Sequence, residues 1–159
     1  MKSLQVFIHI LLIINILPNF TLAQTHWETY CNARFGYCLD YPTELIPQAE
    51  SENGDGRYFI SKDKKVVLIV WGSLDIEEGG LSPHIAKAYD KEYKITYKTI
   101  KKDWAVISGY TQEGKIFYDK IFYLNGYFYT FKFEYPTSLR KTYDPLCKKL
   151  ADSFVMQKD

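Results

Sequence analysis

"KIFYDKIFYLNGYFYTFKFEY", Lys115 to Tyr135, constrains this chain more than any other stretch. Two alternating runs flank Asn125-Gly126, the dipeptide favoured by a type I′ turn because both central positions need positive φ. Placing the turn there pairs Leu124 with Tyr127, Phe122 with Tyr129, Lys120 with Phe131 and Tyr118 with Phe133. Tyr127, Tyr129, Phe131, Phe133 and Tyr135 then share a face with Ile116, Tyr118, Phe122 and Leu124. On the opposite face Asp119 meets Lys132, a cross-strand ion pair that supports the same register. So many rings on one face form a core surface awaiting a helix, since burying them is a main driving force for folding. Lys120 interrupts that face, either snorkelling at the sheet edge or lining a pocket.

The flanking sequence supplies the remaining elements. "HWETYCN" and "FGYCLDYP" alternate up to Pro42 and read as an opening hairpin. A loop is expected from Pro47 to Gly56, then "RYFIS", a turn at Lys62 and Asp63, and "VVLIVWG", Val66 to Gly72, as a strand buried on both faces. "LSPHIAKAYDKEY" predicts a helix with Ser82 as cap and Pro83 in the first turn, where its missing N–H costs nothing. Its apolar stripe is Ile85, Ala88, Tyr89 and Tyr93. "ITYKTIKK" and "WAVISGYTQEGK" add two strands, the second ending at the Gly114 turn. "YDPLCKKLADSF" predicts a closing helix capped by Asp144, with Pro145 in its first turn and Leu146, Cys147, Leu150, Ala151 and Phe154 on one stripe. Together these predict an α+β fold, a mostly antiparallel sheet of about six to eight strands with a mid-chain and a C-terminal helix packed on it.

Residues 1–23 carry one early cation, Lys2, an apolar run from Leu4 to Leu17, Pro18, and short side chains at Thr21 and Ala23. This reads as a signal peptide cut after Ala23 and leaving no stable membrane anchor, the run being short for a bilayer and interrupted by His9 and Asn15. The expected product is secreted, to a periplasm or the extracellular medium. Removing 23 of 159 residues leaves 136 (24–159), suited to one domain, with 19 basic and 19 acidic side chains. That balance, with no basic face, argues against a nucleic-acid partner.

Three cysteines remain, and an oxidising compartment favours one bridge and one thiol left over. A turn centred on Arg34 and Phe35 would make Cys31 and Cys38 direct cross-strand partners, a short loop whose closure stabilises by about 2.5 kcal/mol. The two pairings that involve Cys147 stay open, although Cys147 on the helix stripe reads as a buried hydrophobe.

"ESENGDGR", Glu50 to Arg57, is the strongest candidate for chemistry. Set against a calcium loop with Gly56 at the obligatory glycine, Ser51, Asn53 and Asp55 take the first ligand positions. The closing glutamate is missing, because that position is Lys62. Asn53 and Asp55 therefore remain weak metal candidates in what reads as a turn. No nucleophile–base pairing, phosphate-cradling loop or zinc spacing occurs, so no catalytic residue and no cofactor is expected.

The hairpin Tyr30 to Pro42, with Asn32, Arg34, Phe35, Gly36, Tyr37, Leu39 and Tyr41 between, combines with the "ENGDGR" loop, one mid-chain helix and the closing "YDPLCKKLADSF" helix. In this pattern the chain resembles secreted bacterial domains of the PsbP-like fold, the DcrB/PsbP-like group, over essentially its whole length after residue 23. The resemblance implies binding, usually of another protein, and brings no catalytic motif; it does not require the Cys31 and Cys38 pair. The expected function is a secreted, non-enzymatic module for another envelope or secreted protein. Its contact would be the Phe117, Ile121, Tyr123 and Phe128 face, unless a helix covers it. The alternative is a small-ligand or lipid carrier with a pocket between sheet and helix around Lys120.

Overall fold

The computed structural model describes residues 25–89 and 93–157. The expected signal peptide and its cut lie outside those residues.

The opening hairpin forms as β1 (Trp27–Asn32) and β2 (Tyr37–Pro42), with Cys31 opposite Cys38 across the turn. Those two cysteines are disulfide-bonded, and Cys147 is a free, buried thiol. Replacing both bridged cysteines with serine is expected to lower the unfolding free energy by about 2.5 kcal/mol. Urea denaturation would measure it, and an unchanged midpoint would mean that the bridge does not restrict the unfolded chain.

The large sheet contains β3 (Leu45–Glu50), β4 (Gly56–Ser61), β5 (Val67–Leu74), β6 (Tyr93–Ile100), β7 (Trp104–Thr111), β8 (Lys115–Leu124) and β9 (Tyr127–Pro136). Its order is β3-β4-β5-β9-β8-β7-β6, antiparallel throughout. Each β8–β9 partner predicted from Asn125-Gly126 is found, and Asn125 and Gly126 both take positive φ, 51° and 79°. A short β10 (Val155–Met156) pairs with β2, so β1, β2 and β10 form a second, three-stranded sheet.

The predicted fold class holds, with two strands beyond the expected number, β3 and β10. β3 replaces part of the loop expected from Pro47. It is an edge strand with a register shift between Pro47 and Glu50, and a bulged edge is where a strand tolerates a residue without an N–H.

Helix α2 (Arg140–Ser153) and the small sheet cover one face of the large sheet. The core there joins Tyr37, Leu39, Phe59, Phe131, Phe133, Leu150 and Phe154. Helix α1 (Leu81–Ala88) lies on the other face, with Leu81, Ile85 and the following Tyr89 against Ala105, Ile107, Phe117, Ile121 and Phe128. The cluster under α1 draws on β6, β7, β8 and β9 and on no residue of β5, so β5 is not buried on both sides. Leu68, Val70 and Gly72 are buried, whereas Val67, Ile69 and Trp71 are half-buried.

Both helix starts differ from expectation. Gly80 rather than Ser82 caps α1, at φ 71°, and its N–H donates to Asp75 Oδ2 at 2.8 Å. Glycine adopts that backbone freely, and a carboxylate five residues upstream supplies the acceptor that the serine would have provided. The stripe also ends early, since Tyr93 belongs to β6.

Helix α2 starts at Arg140, after a 3-10 turn over Thr137–Leu139, so Pro145 sits inside it. Burial of Tyr143 against Phe133 and Tyr135 extends the helix toward its N-terminus, outweighing the backbone hydrogen bond that proline removes. Asp144, expected as the cap, instead binds Arg140 Nε at 2.9 Å and accepts from the Tyr135 hydroxyl at 2.7 Å.

Candidate functional site

"LDIEEGG", Leu74 to Gly80, sets one isoleucine among three carboxylates between β5 and α1. Asp75 shapes this loop. Its N–H donates to the Gly126 carbonyl at 2.8 Å, and its carbonyl accepts from Glu78 N–H at 3.3 Å. Its side chain binds Gly80, as above, and that backbone hydrogen bond outweighs desolvation and holds the carboxyl below the usual range. Glu78 and Gly80 both take left-handed φ, 50° and 71°. The loop is thereby tied to the β8–β9 turn at one end and to the start of α1 at the other.

Between this loop and α1 lies a cleft of about 380 Å³, lined by Leu74, Ile76, Pro83, His84, Lys87 and Phe128, among others. The His84 ring stacks on Phe128 with centroids 4.0 Å apart. Burial lowers the imidazole pKa, outweighing the upward pull of Asp75 and Glu77, so the ring is neutral at neutral pH. Glu77 forms an ion pair with Lys87.

The same end of the sheet exposes large apolar side chains. Ile76 is 85% exposed and Leu74 55%, while Leu124 and Tyr127 are each 38% exposed. Tyr127 pairs across the sheet with both Leu74 and Leu124, and Leu74 and Ile76 line the same cleft, so the four lie together at this end of the sheet.

Of the contact residues expected from sequence, Phe117, Ile121 and Phe128 are buried beneath α1 and form core, not surface. Tyr89 stacks on Phe117 with centroids 5.9 Å apart and completes that cover. Tyr123 alone stays half-buried, close to Gly80 and tilted against Phe128 at 4.9 Å between centroids. The apolar patch itself was missed. Its sequence signal was Ile76, a single aliphatic residue within an acidic, glycine-rich loop.

Lys120 is half-buried on the face of the sheet that α2 covers. Its Nζ lies 4.6 Å from the Phe122 ring centroid and donates to the Ala151 carbonyl at 2.5 Å, satisfying an acceptor in the last turn of α2. Phe122, Phe131 and Phe154 fill the space between sheet and helix beside it.

The "ENGDGR" loop closes on itself. Asp55 Oδ1 accepts from Ser51 Oγ at 2.6 Å and Oδ2 from Asn53 Nδ2 at 2.9 Å, so both oxygens and the Asn53 amide are engaged within the turn. Asn32, fully buried, donates to Glu50 Oε1 at 2.9 Å and to the Gly54 carbonyl at 3.0 Å, which fastens the loop to the opening hairpin. Among the described residues no group of three or more His, Cys, Asp or Glu side chains is placed to hold a metal ion.

The remaining polar cluster lies under α1. Asp119 is fully buried, with its Oδ2 accepting from the Tyr89 hydroxyl and lying 3.4 Å from Lys132 Nζ, and Lys132 donates to Tyr93 Oη at 2.9 Å. The ion pair expected from the hairpin register is present, but in the interior.

No family model and no curated protein matches the chain. Among solved structures it is similar to the solution structure of cyanobacterial PsbP (CyanoP) from Synechocystis sp. PCC 6803, with a TM-score of 0.61 and 13% identity over 86% of this chain and 95% of that one. At that identity the likeness concerns the fold, and the fold is PsbP-like.

Proposed function

We propose that this chain is a secreted, non-enzymatic binding module whose partner is another envelope or secreted protein, and that the contact is the apolar end of the large sheet. The observation that carries this reading is the patch of Leu74, Ile76, Leu124 and Tyr127 beside the 380 Å³ cleft. Ile76 projects from a loop held at both ends, so its exposure is built into the fold, and such a side chain gains about 1.5–3 kcal/mol when a partner covers it. Secretion is supported by the signal-peptide pattern and by the formed Cys31–Cys38 bridge. Among the described residues no helix is long and apolar enough to cross a membrane. The carrier reading draws less support, because the space beside Lys120 is filled by aromatic rings.

The test is affinity capture from envelope and secreted fractions of the source, comparing wild type with the Leu74→Ser, Ile76→Ser double variant. Both positions are exposed, so the urea midpoint should hold while the retained partner falls by more than about tenfold, the equivalent of 1.4 kcal/mol. Equal retention by both proteins would rule out this surface as the contact.

A further inference from the structure

The cleft beside Ile76 has a chemistry that selects among protein partners. Its volume, about 380 Å³, suits one large side chain with part of its backbone. Leu74, Ile76, Pro83 and Phe128 make its walls apolar, and the His84 ring laid flat on Phe128 continues that surface.

Charge at the cleft is one-sided. Asp75 and Glu77 line it and Glu78 adjoins them. Among the described residues the one ammonium lining it, Lys87, is already paired with Glu77. Asp75 is turned toward Gly80, and Glu78, which stands in sequence between the lining residues Glu77 and Gly79, is exposed and in no ion pair among the described residues. A cationic group would be drawn to this acidic rim and an anionic one repelled. The Asp75 hydrogen bonds fix the loop beforehand, so little ordering cost falls on binding.

From this juxtaposition of an apolar cleft and an acidic rim, we infer that the cleft receives a large apolar side chain of the partner with a lysine or arginine close beside it in the partner's sequence. This rests on the protein-binding reading above and adds the chemistry of the bound segment.

Random nonapeptides displayed on phage would be panned against the secreted product of the full-length chain, then counter-selected on its Ile76→Ser variant. The expected survivors carry Leu, Ile, Met, Phe or Trp with Lys or Arg within three positions. A representative peptide should bind Glu78→Lys about fivefold more weakly, the scale of one exposed charge pair, and should weaken as salt is raised. Survivors without a basic flank, survivors rich in acids, equal retention on Ile76→Ser, or no enrichment at all would each overturn the inference. If a native partner is captured in an Ile76-dependent way while the peptides show no basic flank, the contact stands and the partner chemistry proposed here falls.

Discussion

Phe154→Ala is expected to lower the unfolding free energy by about 3–5 kcal/mol, the range for deleting a buried phenylalanine ring. The ring is 1% exposed and follows the last turn of α2, where three elements meet. It lies 5.9 Å from Tyr37 of the small sheet, 5.5 Å from Phe122 of β8 and 5.4 Å from Phe131 of β9, centroid to centroid. Alanine would open a cavity that none of these can close alone, because each is held by its own backbone ladder. Domains of this size are stable by roughly 5–15 kcal/mol, so the loss removes a large part of the total. Urea denaturation followed by tryptophan fluorescence would read it as a lower midpoint. The adjacent Val155, nearly half exposed, is the control, and Val155→Ala should stay within about 0.5 kcal/mol of wild type. A Phe154→Ala cost below about 1 kcal/mol would mean that the two sheets do not depend on this ring for their packing.

The same ring shows what could be read from sequence. Phe154 falls on the stripe of the closing helix, and Phe122 and Phe131 share the face that the Asn125-Gly126 turn defines, so their meeting follows from two local patterns. Local patterns also placed Cys31 opposite Cys38. They failed where a contact outside the local pattern displaced a local preference. Asp75 took over the capping role read into Ser82, and Tyr143 extended α2 past the cap expected at Asp144. β3 was hidden because Pro47 reads as a breaker unless the strand is known to lie at an edge.

The candidate surface was the least legible feature. Alternation shows that Phe117, Ile121 and Phe128 share a face, but not that α1 lies over it. Ile76 gave a signal only as an apolar residue in a loop, which many proteins have without consequence.

Lys132→Met is expected to destabilise the protein more above neutral pH than in mild acid, the extra loss growing by about 1.4 kcal/mol for each pH unit above the Asp119 pKa. Burial pushes the Asp119 carboxyl up to about 7, against the downward pull of Lys132 and Tyr89. For Lys132, burial alone would lower the ammonium pKa, but Asp119 and Tyr93 outweigh it and raise it, so the lysine stays charged. The folded state therefore keeps a proton on Asp119 at pH values where an unfolded chain, with an ordinary carboxyl, has released it. The stability this proton supplies is complete below the ordinary carboxylate pKa and is lost as pH rises through about 7. Over that window the group accounts for a change on the order of 4 kcal/mol.

Above the window, wild-type Asp119 is an ion compensated by Lys132; without that cation its carboxyl pKa moves further up, so the variant must hold a proton there that the unfolded chain has released. Below the window Asp119 is neutral, and the variant loses mainly the contacts of the ammonium with the Tyr93, Tyr89 and Phe117 rings, 4.5, 5.5 and 5.8 Å from their centroids. The measurement is urea unfolding of wild type and variant at about pH 5 and about pH 8, with the difference expected to widen between them. A constant difference would mean that Asp119 does not change charge in this interval. Adding Asp119→Asn to Lys132→Met should recover most of the alkaline loss, because asparagine is neutral without the proton that a buried, unpaired Asp119 must hold. That recovery would also separate the pair's part in stability from its part in register, since the Asn125-Gly126 turn and the aromatic face would still hold β8 against β9.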